Sequence, residues 1–399
     1  MSPASPAVRV ALLVGALLVL WRMFRTKKEA KHSITYVKTE ARVAAILAET
    51  QRRMGGSLAY TPPGWVAPGI VNIGLFCVKS VLLSLFAKYE KQPVPTPDGA
   101  DISIDWADDD VSRALAPEAP ILIVLHTVTG SGPESWHFVR EVPQYGWRAC
   151  VFNRRGCGSS LKTPNFNLMG NPDDTRLMVD AVVQRYPRAS FIGMAGISAG
   201  SGQIITYLGQ EGKKTPVGAG VSLCPAYKLK DAFTLLTQRD PIVDKIVCKS
   251  MQQNFLYKGG NRELLEKADP TTFRAAAEAT TMQGFFEAAA PFAGASSWED
   301  YVGEHDPMNY EAGIAVPTLL LNAEDDPVCV KENIAWEKCG DNPVYALLVT
   351  EGGSHIAYCD GLFGQRQWMT KITMEFLESA RAQAEGKLDA RGEATPLLP

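Results

Sequence analysis

The stretch Phe191 to Gly202, FIGMAGISAGSG, constrains the fold more than any other part of this chain. An apolar run from Phe191 to Ala195 meets Gly196-Ile197-Ser198-Ala199-Gly200 and passes into a helical pattern over Gln203 to Gln210, so the spacing predicts strand, sharp turn, helix. Such a turn holds its serine at the tip of a strand in a strained backbone conformation, and residues two positions either side must be glycine to avoid collision. Outside that setting the same five residues would be a glycine-rich turn with a capping serine, so the rest of the chain decides between the two.

The rest of the chain supplies the sheet that an elbow of this kind needs. Ile102 to Trp106 alternates as a strand after the turn signal Thr96-Pro97-Asp98-Gly99, and Ile121 to Leu125 is a continuous β-rich run of the sort covered on both faces. Trp147 to Phe152, Val217 to Leu223, Thr318 to Leu321 and Val344 to Val349 read as further strands, and Asp173 to Tyr186 as a helix. Strands alternating with helices predict an α/β fold with a mostly parallel sheet and helices on both faces. Between Cys224 and Pro317 the composition turns to helix formers, Ala275 to Ala290 above all, and this insertion is placed to cover the site as a lid.

With 399 residues, 46% of them hydrophobic, the chain can bury a large core. A net charge of -3 offers no basic field for nucleic acid, and the eight cysteines form no Cys-x-x-Cys pair that would suggest zinc or a disulfide framework. No protein partner can be inferred.

The N-terminus has a different character. Val10 to Trp21 is unbroken apolar sequence followed by Arg22, Arg25, Lys27, Lys28 and Lys31, a stop-transfer pattern that predicts a membrane anchor with the bulk of the protein in the cytosol. Ser33 to Arg53 reads as a helix-compatible connector closed by Gly55-Gly56. Trp65 to Ala87 is a second apolar stretch, interrupted by Asn72, Lys79, Ser80 and Ser84 loosely on one face. An interfacial helix is the first expectation for it, with a buried core helix and a second transmembrane span, for which Lys79 near the middle would be costly, as the alternatives.

An elbow serine needs a base, and the base needs an orienting carboxylate, in the chain order Ser, Asp or Glu, His. After the strand ending at Asn322 come Glu324, Asp325 and Asp326, and after the last strand comes Gly352-Gly353-Ser354-His355. Of the five histidines only His355 has the required order, whereas the adjacent acids cannot be ranked by order alone. An oxyanion hole would combine the N–H of Ala199 with one from the loop His126 to Gly132.

These positions, together with Pro63-Gly64-Trp65, Pro97-Asp98-Gly99, Asp105-Trp106, Asn153-Arg154-Arg155-Gly156-Cys157-Gly158 and Val316-Pro317-Thr318, carry a resemblance. The chain resembles the membrane-anchored α/β-hydrolase-domain lipases and phospholipases and their YheT-like bacterial and plant relatives, over about Tyr60 to Arg381. The resemblance implies an α/β-hydrolase fold, a triad of Ser198, Asp326 and His355, and Val128 as the second oxyanion donor beside Ala199. It further implies a serine hydrolase of membrane-derived lipid esters that needs no metal or cofactor.

Two departures stand out, Thr127 where the family usually has glycine and Ser354 between the paired glycines and His355. The alternatives are a lipid acyltransferase, suggested by His355 and Asp360 as a His-x-x-x-x-Asp pattern, and a non-catalytic membrane scaffold. The expected organisation is an anchor and basic flank over residues 1–31, a connector and interfacial segment over 32–93, and an α/β-hydrolase domain over 94–382 with its lid at about 225–316. A disordered tail over 383–399 follows, and the endoplasmic reticulum is the expected membrane.

Overall fold

The computed structural model describes residues 32–35, 40–63, 70–361 and 364–388. Within them lie the strands β1 (His32–Thr35), β2 (Tyr89–Val94), β3 (Ile102–Ala107), β4 (Ile121–Leu125), β5 (Arg148–Asn153), β6 (Ile192–Ile197), β7 (Ala219–Leu223), β8 (Thr318–Ala323) and β9 (Tyr345–Thr350). They make one nine-stranded sheet in the order β1-β9-β8-β7-β6-β4-β5-β3-β2. From β5 through β9 neighbouring strands run parallel, and the pairings of β1, β2 and β3 at the two edges are antiparallel. Every residue of β3 to β9 is buried, which is why β4, β6, β7 and β9 read as near-continuous apolar runs.

The strand period of two divides the core. Leu122 and Val124 of β4 face one layer, with Trp136 and Phe138 of α3 (Gly132–Val139) and Ile372 and Phe376 of α12 (Trp368–Ala384). Ile121, Ile123 and Leu125 face the other, with Met178 and Val182 of α4 (Pro172–Arg185) and Ile204 and Leu208 of α5 (Ala199–Glu211).

The first layer reaches upstream of Val94, where the sequence placed the start of the folded domain. Helix α1 (Ala41–Arg53) packs on α12 and buries Val43, Ile46 and Leu47, and β1 pairs with β9. The helix-compatible connector is amphipathic, and its apolar stripe covers one end of the sheet.

Helix α2 (Ile70–Ser84) packs on α3 with its polar positions inward. Asn72 and Ser80 are buried, the Ser80 hydroxyl donates to Glu134 O at 2.9 Å, and Lys79 Nζ donates to Gly364 O at 2.6 Å. Leu75, Val78, Val81 and Leu82 of its opposite face, with Leu85 and Phe86 just beyond, are exposed, Phe86 to 71%. Phe76 is buried among these polar groups, so the helix turns a mixed face inward and an apolar face outward.

Between β7 and β8 lie α6 (Leu229–Arg239), α7 (Pro241–Met251), α8 (Asn261–Ala268), α9 (Pro270–Glu278), α10 (Met282–Ala289) and α11 (Trp298–His305). Their shared core of Phe255, Phe285, Phe286, Trp298 and Tyr301 also takes in Phe166 and Ala199, so the insertion closes directly over the elbow. The apolar run Val10 to Trp21, its basic flank and residues 389–399 fall outside the described residues. Among the described residues no helix is long and apolar enough to cross a membrane.

Candidate active site

Ser198 ends β6 with φ +55° and ψ -115°, a conformation that side chains rarely tolerate, and its N–H donates to Leu223 O at 2.9 Å. The flanking glycines are forced by contact. A Cβ on Gly196 would lie 2.1 Å from Gly200 O, and one on Gly200 would lie 2.2 Å from Leu125 O. Both obstacles are backbone, which cannot step aside.

Three loops at the carboxyl ends of β6, β8 and β9 bring the chemistry together. The Ser198 hydroxyl lies 2.8 Å from His355 Nε2, and His355 Nδ1 lies 2.9 Å from Asp326 Oδ2. A carboxylate only accepts, so Nδ1–H donates to Asp326 and Nε2 is left to accept from the serine O–H. Asp326 is buried, and its other oxygen accepts from Val328 N and Cys329 N, each at 2.8 Å. Those two amides hold the carboxylate in place. Such a relay can draw the proton from a serine as its oxygen attacks a carbonyl.

Of the three candidate acids, Asp326 meets the histidine. Asp325 accepts from Ser354 N at 2.7 Å, and Glu324 is exposed. The histidine loop is strained throughout: Ser354, Ile356 and Tyr358 have positive φ, and a Cβ on Gly353 would fall 2.4 Å from the Tyr358 ring. Tyr60 braces it, edge-on to Tyr358 at 5.0 Å, with its hydroxyl donating to Cys359 O at 2.8 Å.

The loop after β4 carries Thr127 and Val128. Thr127 has no positive φ, so the glycine that the family resemblance expects there is not required by the backbone. Val128 is half-buried against the same apolar cluster as Ala199. The other histidines lie elsewhere: His32 in β1, His126 beneath this loop, His137 behind α2, and His305 stacked on Tyr301 at 4.3 Å.

Sequence reasoning passed over Cys224. At the end of β7 with φ +54°, its sulfur and atoms of Asp326 and His355 all lie within 4.8 Å of one another. The trio could hold a metal ion only by displacing the His355–Asp326 hydrogen bond, and burial together with Asp326 pushes the thiol pKa well up, away from the thiolate a metal needs. No spacing signal in the chain announces this residue. A surface cleft of about 1100 Å³ lined by Glu40, Arg42, Lys213 and Lys338, among others, contains none of these groups.

A family model described as the alpha/beta hydrolase fold matches residues 120–362. Human phospholipase ABHD3 is 26% identical over 299 residues, covering 73% of this chain and 72% of that protein. The monoacylglycerol lipase of Saccharomyces cerevisiae is 27% identical over 283 residues, covering 68% and 62%. Among solved structures, the esterase Pf2001 of Pyrococcus furiosus aligns with a TM-score of 0.47 at 20% identity, over 74% of this chain and 92% of that one.

Proposed function

Because the chain belongs to the alpha/beta hydrolase family, whose match spans more than half of it, we propose that it cleaves carboxylic esters of membrane-derived lipids, acylglycerols or phospholipids, through Ser198, His355 and Asp326. The observation that carries this reading is the continuous relay of 2.8 and 2.9 Å from Ser198 through His355 to Asp326 at the strand tips. It is an ester hydrolase of the lipase and esterase type, in keeping with relatives named phospholipase ABHD3 and monoacylglycerol lipase.

Ser198 Oγ attacks the acyl carbon as His355 Nε2 takes its proton, and the imidazolium is stabilised by Asp326. The carbonyl oxygen, now negative, is held by the N–H groups of Ala199 and Val128, each donor contributing about 3 kcal/mol in such sites. The C–O bond to the alcohol breaks as His355 returns the proton to it, and water then releases the acyl group from Ser198 by the same steps in reverse. No step calls for a metal or cofactor. Asp360 of the His-x-x-x-x-Asp pattern lies in a short hairpin and accepts from Gly361 N at 2.7 Å, so nothing there favours acyl transfer.

In this reading Val10 to Trp21 anchors the enzyme with its catalytic domain in the cytosol, most simply at the endoplasmic reticulum, and the outer face of α2 lies on the bilayer beside it. The helices α6 to α11 form the lid. The decisive experiment is labelling with a fluorophosphonate probe followed by a panel of lipid esters. Ser198→Ala is expected to abolish both labelling and hydrolysis while the fold remains; labelling of the variant at the wild-type rate would overturn the assignment.

A further inference from the structure

Arg154 is a charged residue with 0% exposure, and among the described residues it forms no ion pair with a carboxylate. Burying a guanidinium without a counter-charge costs several kcal/mol, and burial pushes its pKa down, yet an arginine keeps its proton. A cost of that kind persists where the charge has work that a neutral group cannot do. The donors show what they hold. Nη1 donates to His126 O at 3.0 Å, and Nη2 donates to Thr127 O at 2.7 Å and to Val128 O at 3.2 Å. Three successive carbonyls of the loop after β4 are thus gathered on one cation, with Gln203 Oε1 at 3.5 Å as its remaining partner.

His126 completes the clamp. The backbone N–H of Arg154 donates to His126 Nε2 at 3.4 Å, which leaves the ring proton on Nδ1, and Nδ1–H donates to Thr127 O at 2.7 Å. Burial, and after it the Arg154 charge, holds the His126 pKa well below its ordinary value, so the ring stays neutral. Thr127 O therefore accepts from Arg154 and His126, and from Gly130 N at 3.2 Å across the turn.

In a planar trans peptide the C=O and N–H point in opposite directions. Fixing Thr127 O on Arg154 turns the Val128 N–H away from the guanidinium, and that N–H finds no acceptor among the described residues. The loop also abuts the first turn of α5, since a Cβ on Gly200 would lie 2.2 Å from Leu125 O and 2.9 Å from His126 O. Its free amide is set beside the helix start that carries Ala199.

We propose that Arg154 is a positioning residue for the oxyanion hole: it fixes the peptide planes of residues 126–128 and polarises the Thr127–Val128 peptide from its carbonyl end, making the Val128 N–H a stronger donor. This rests on the serine-hydrolase reading given above. The benefit appears as Ser198 Oγ bonds to the acyl carbon, the carbonyl electron pair moves onto oxygen and the serine proton passes to His355. The substrate carbonyl, with less charge on its oxygen, gains less.

The test compares wild type with Arg154→Met and Arg154→Gln on a soluble short-chain ester and on an alkyl trifluoromethyl ketone, which adds to the serine as a charged hemiketal. Binding of the matching non-hydrolysable ether reports ground-state contacts alone. Both variants are expected to lose about 10- to 100-fold in kcat and in trifluoromethyl ketone affinity, with KM and ether binding changed less than about threefold. Should the methionine variant fail to fold, the glutamine variant, which retains a donor and buries no charge, carries the same readouts. A folded variant that keeps kcat and ketone affinity within about twofold of wild type, or loses ether binding in equal proportion, overturns the proposal. A wild-type enzyme that neither binds the ketone nor labels at Ser198 instead removes the underlying hydrolase reading.

Discussion

Asp325 and Asp326 are neighbours in the chain and hold neighbouring residues of one loop: Asp325 accepts from the Ser354 backbone at 2.7 Å, and Asp326 accepts from the His355 ring at 2.9 Å. The first bond shapes the loop and the second sets the imidazole. That division separates two carboxylates which sequence order leaves equivalent.

It also makes their substitution unequal. Asp326→Asn offers His355 an amide and favours the wrong tautomer, so kcat on a soluble ester is expected to fall about 10⁴-fold. Asp325→Asn weakens one backbone contact and is expected to cost about tenfold or less. Steady-state kinetics on both variants is the check, and the reverse ranking would transfer the orienting role to Asp325.

Gly200→Ala tests the contact that shapes the elbow. Its Cβ would lie 2.2 Å from Leu125 O, and neither backbone can yield without moving β4 or α5. A loss of about 3 kcal/mol of stability is expected in urea unfolding, together with loss of probe labelling. A variant as stable as wild type would mean that the turn relaxes in solution.

His137 makes the seat of α2 sensitive to acid. Its pKa is lowered to about 4 by burial, with Lys79 and Arg140 also opposing protonation, while its Nδ1–H donates to Glu134 O. A histidine whose folded pKa lies below its unfolded value contributes stability that is complete above about pH 6.5 and is lost as pH falls toward 4. The contribution at neutral pH is on the order of 3 kcal/mol. His137→Asn keeps a donor near Nδ1 and removes the titration, so its urea midpoint should fall less between pH 7 and pH 4.5 than that of wild type. Identical pH dependence in the two proteins would exclude His137 as the source.

The outward apolar face of α2 predicts a split between substrates. Leu82 and Phe86 are 56% and 71% exposed, so Leu82→Glu with Phe86→Glu leaves the core intact and should lower hydrolysis of bilayer lipid about tenfold or more while sparing a soluble ester. If Val10 to Trp21 tethers the chain as proposed, deleting residues 1–31 should act in the same direction, with sedimentation on vesicles as the parallel readout. Equal losses on soluble ester and bilayer lipid would show that these segments serve the fold and not the membrane.

The strands that pack on both faces, Ile121–Leu125 and Ile192–Ile197 above all, were legible because burial on two sides demands unbroken apolar sequence. The elbow at Ser198 was equally legible, since its glycines answer to contacts within a few residues, and His355 followed from chain order once the sheet was drawn. Local sequence carries such features because the forces that require them are local.

Other features depend on where distant elements come to rest. The polar face of α2 turns inward because Glu134 and Gly364 offer carbonyls to Ser80 and Lys79, and helical periodicity cannot reveal which face meets those partners. Helix α1 joins the core because α12, more than three hundred residues later, presents a matching apolar surface. Asp326 rather than Asp325 meets His355, and Arg154 gathers the carbonyls of residues 126–128, only through the register of β4, β5, β8 and β9. Periodicity and chain order thus determined the parallel strands, the elbow sequence and the order of Ser198, the acids and His355; which carboxylate meets the histidine, and which carbonyls Arg154 gathers, was decided by the tertiary structure, because a hydrogen bond answers to separation in space and not along the chain.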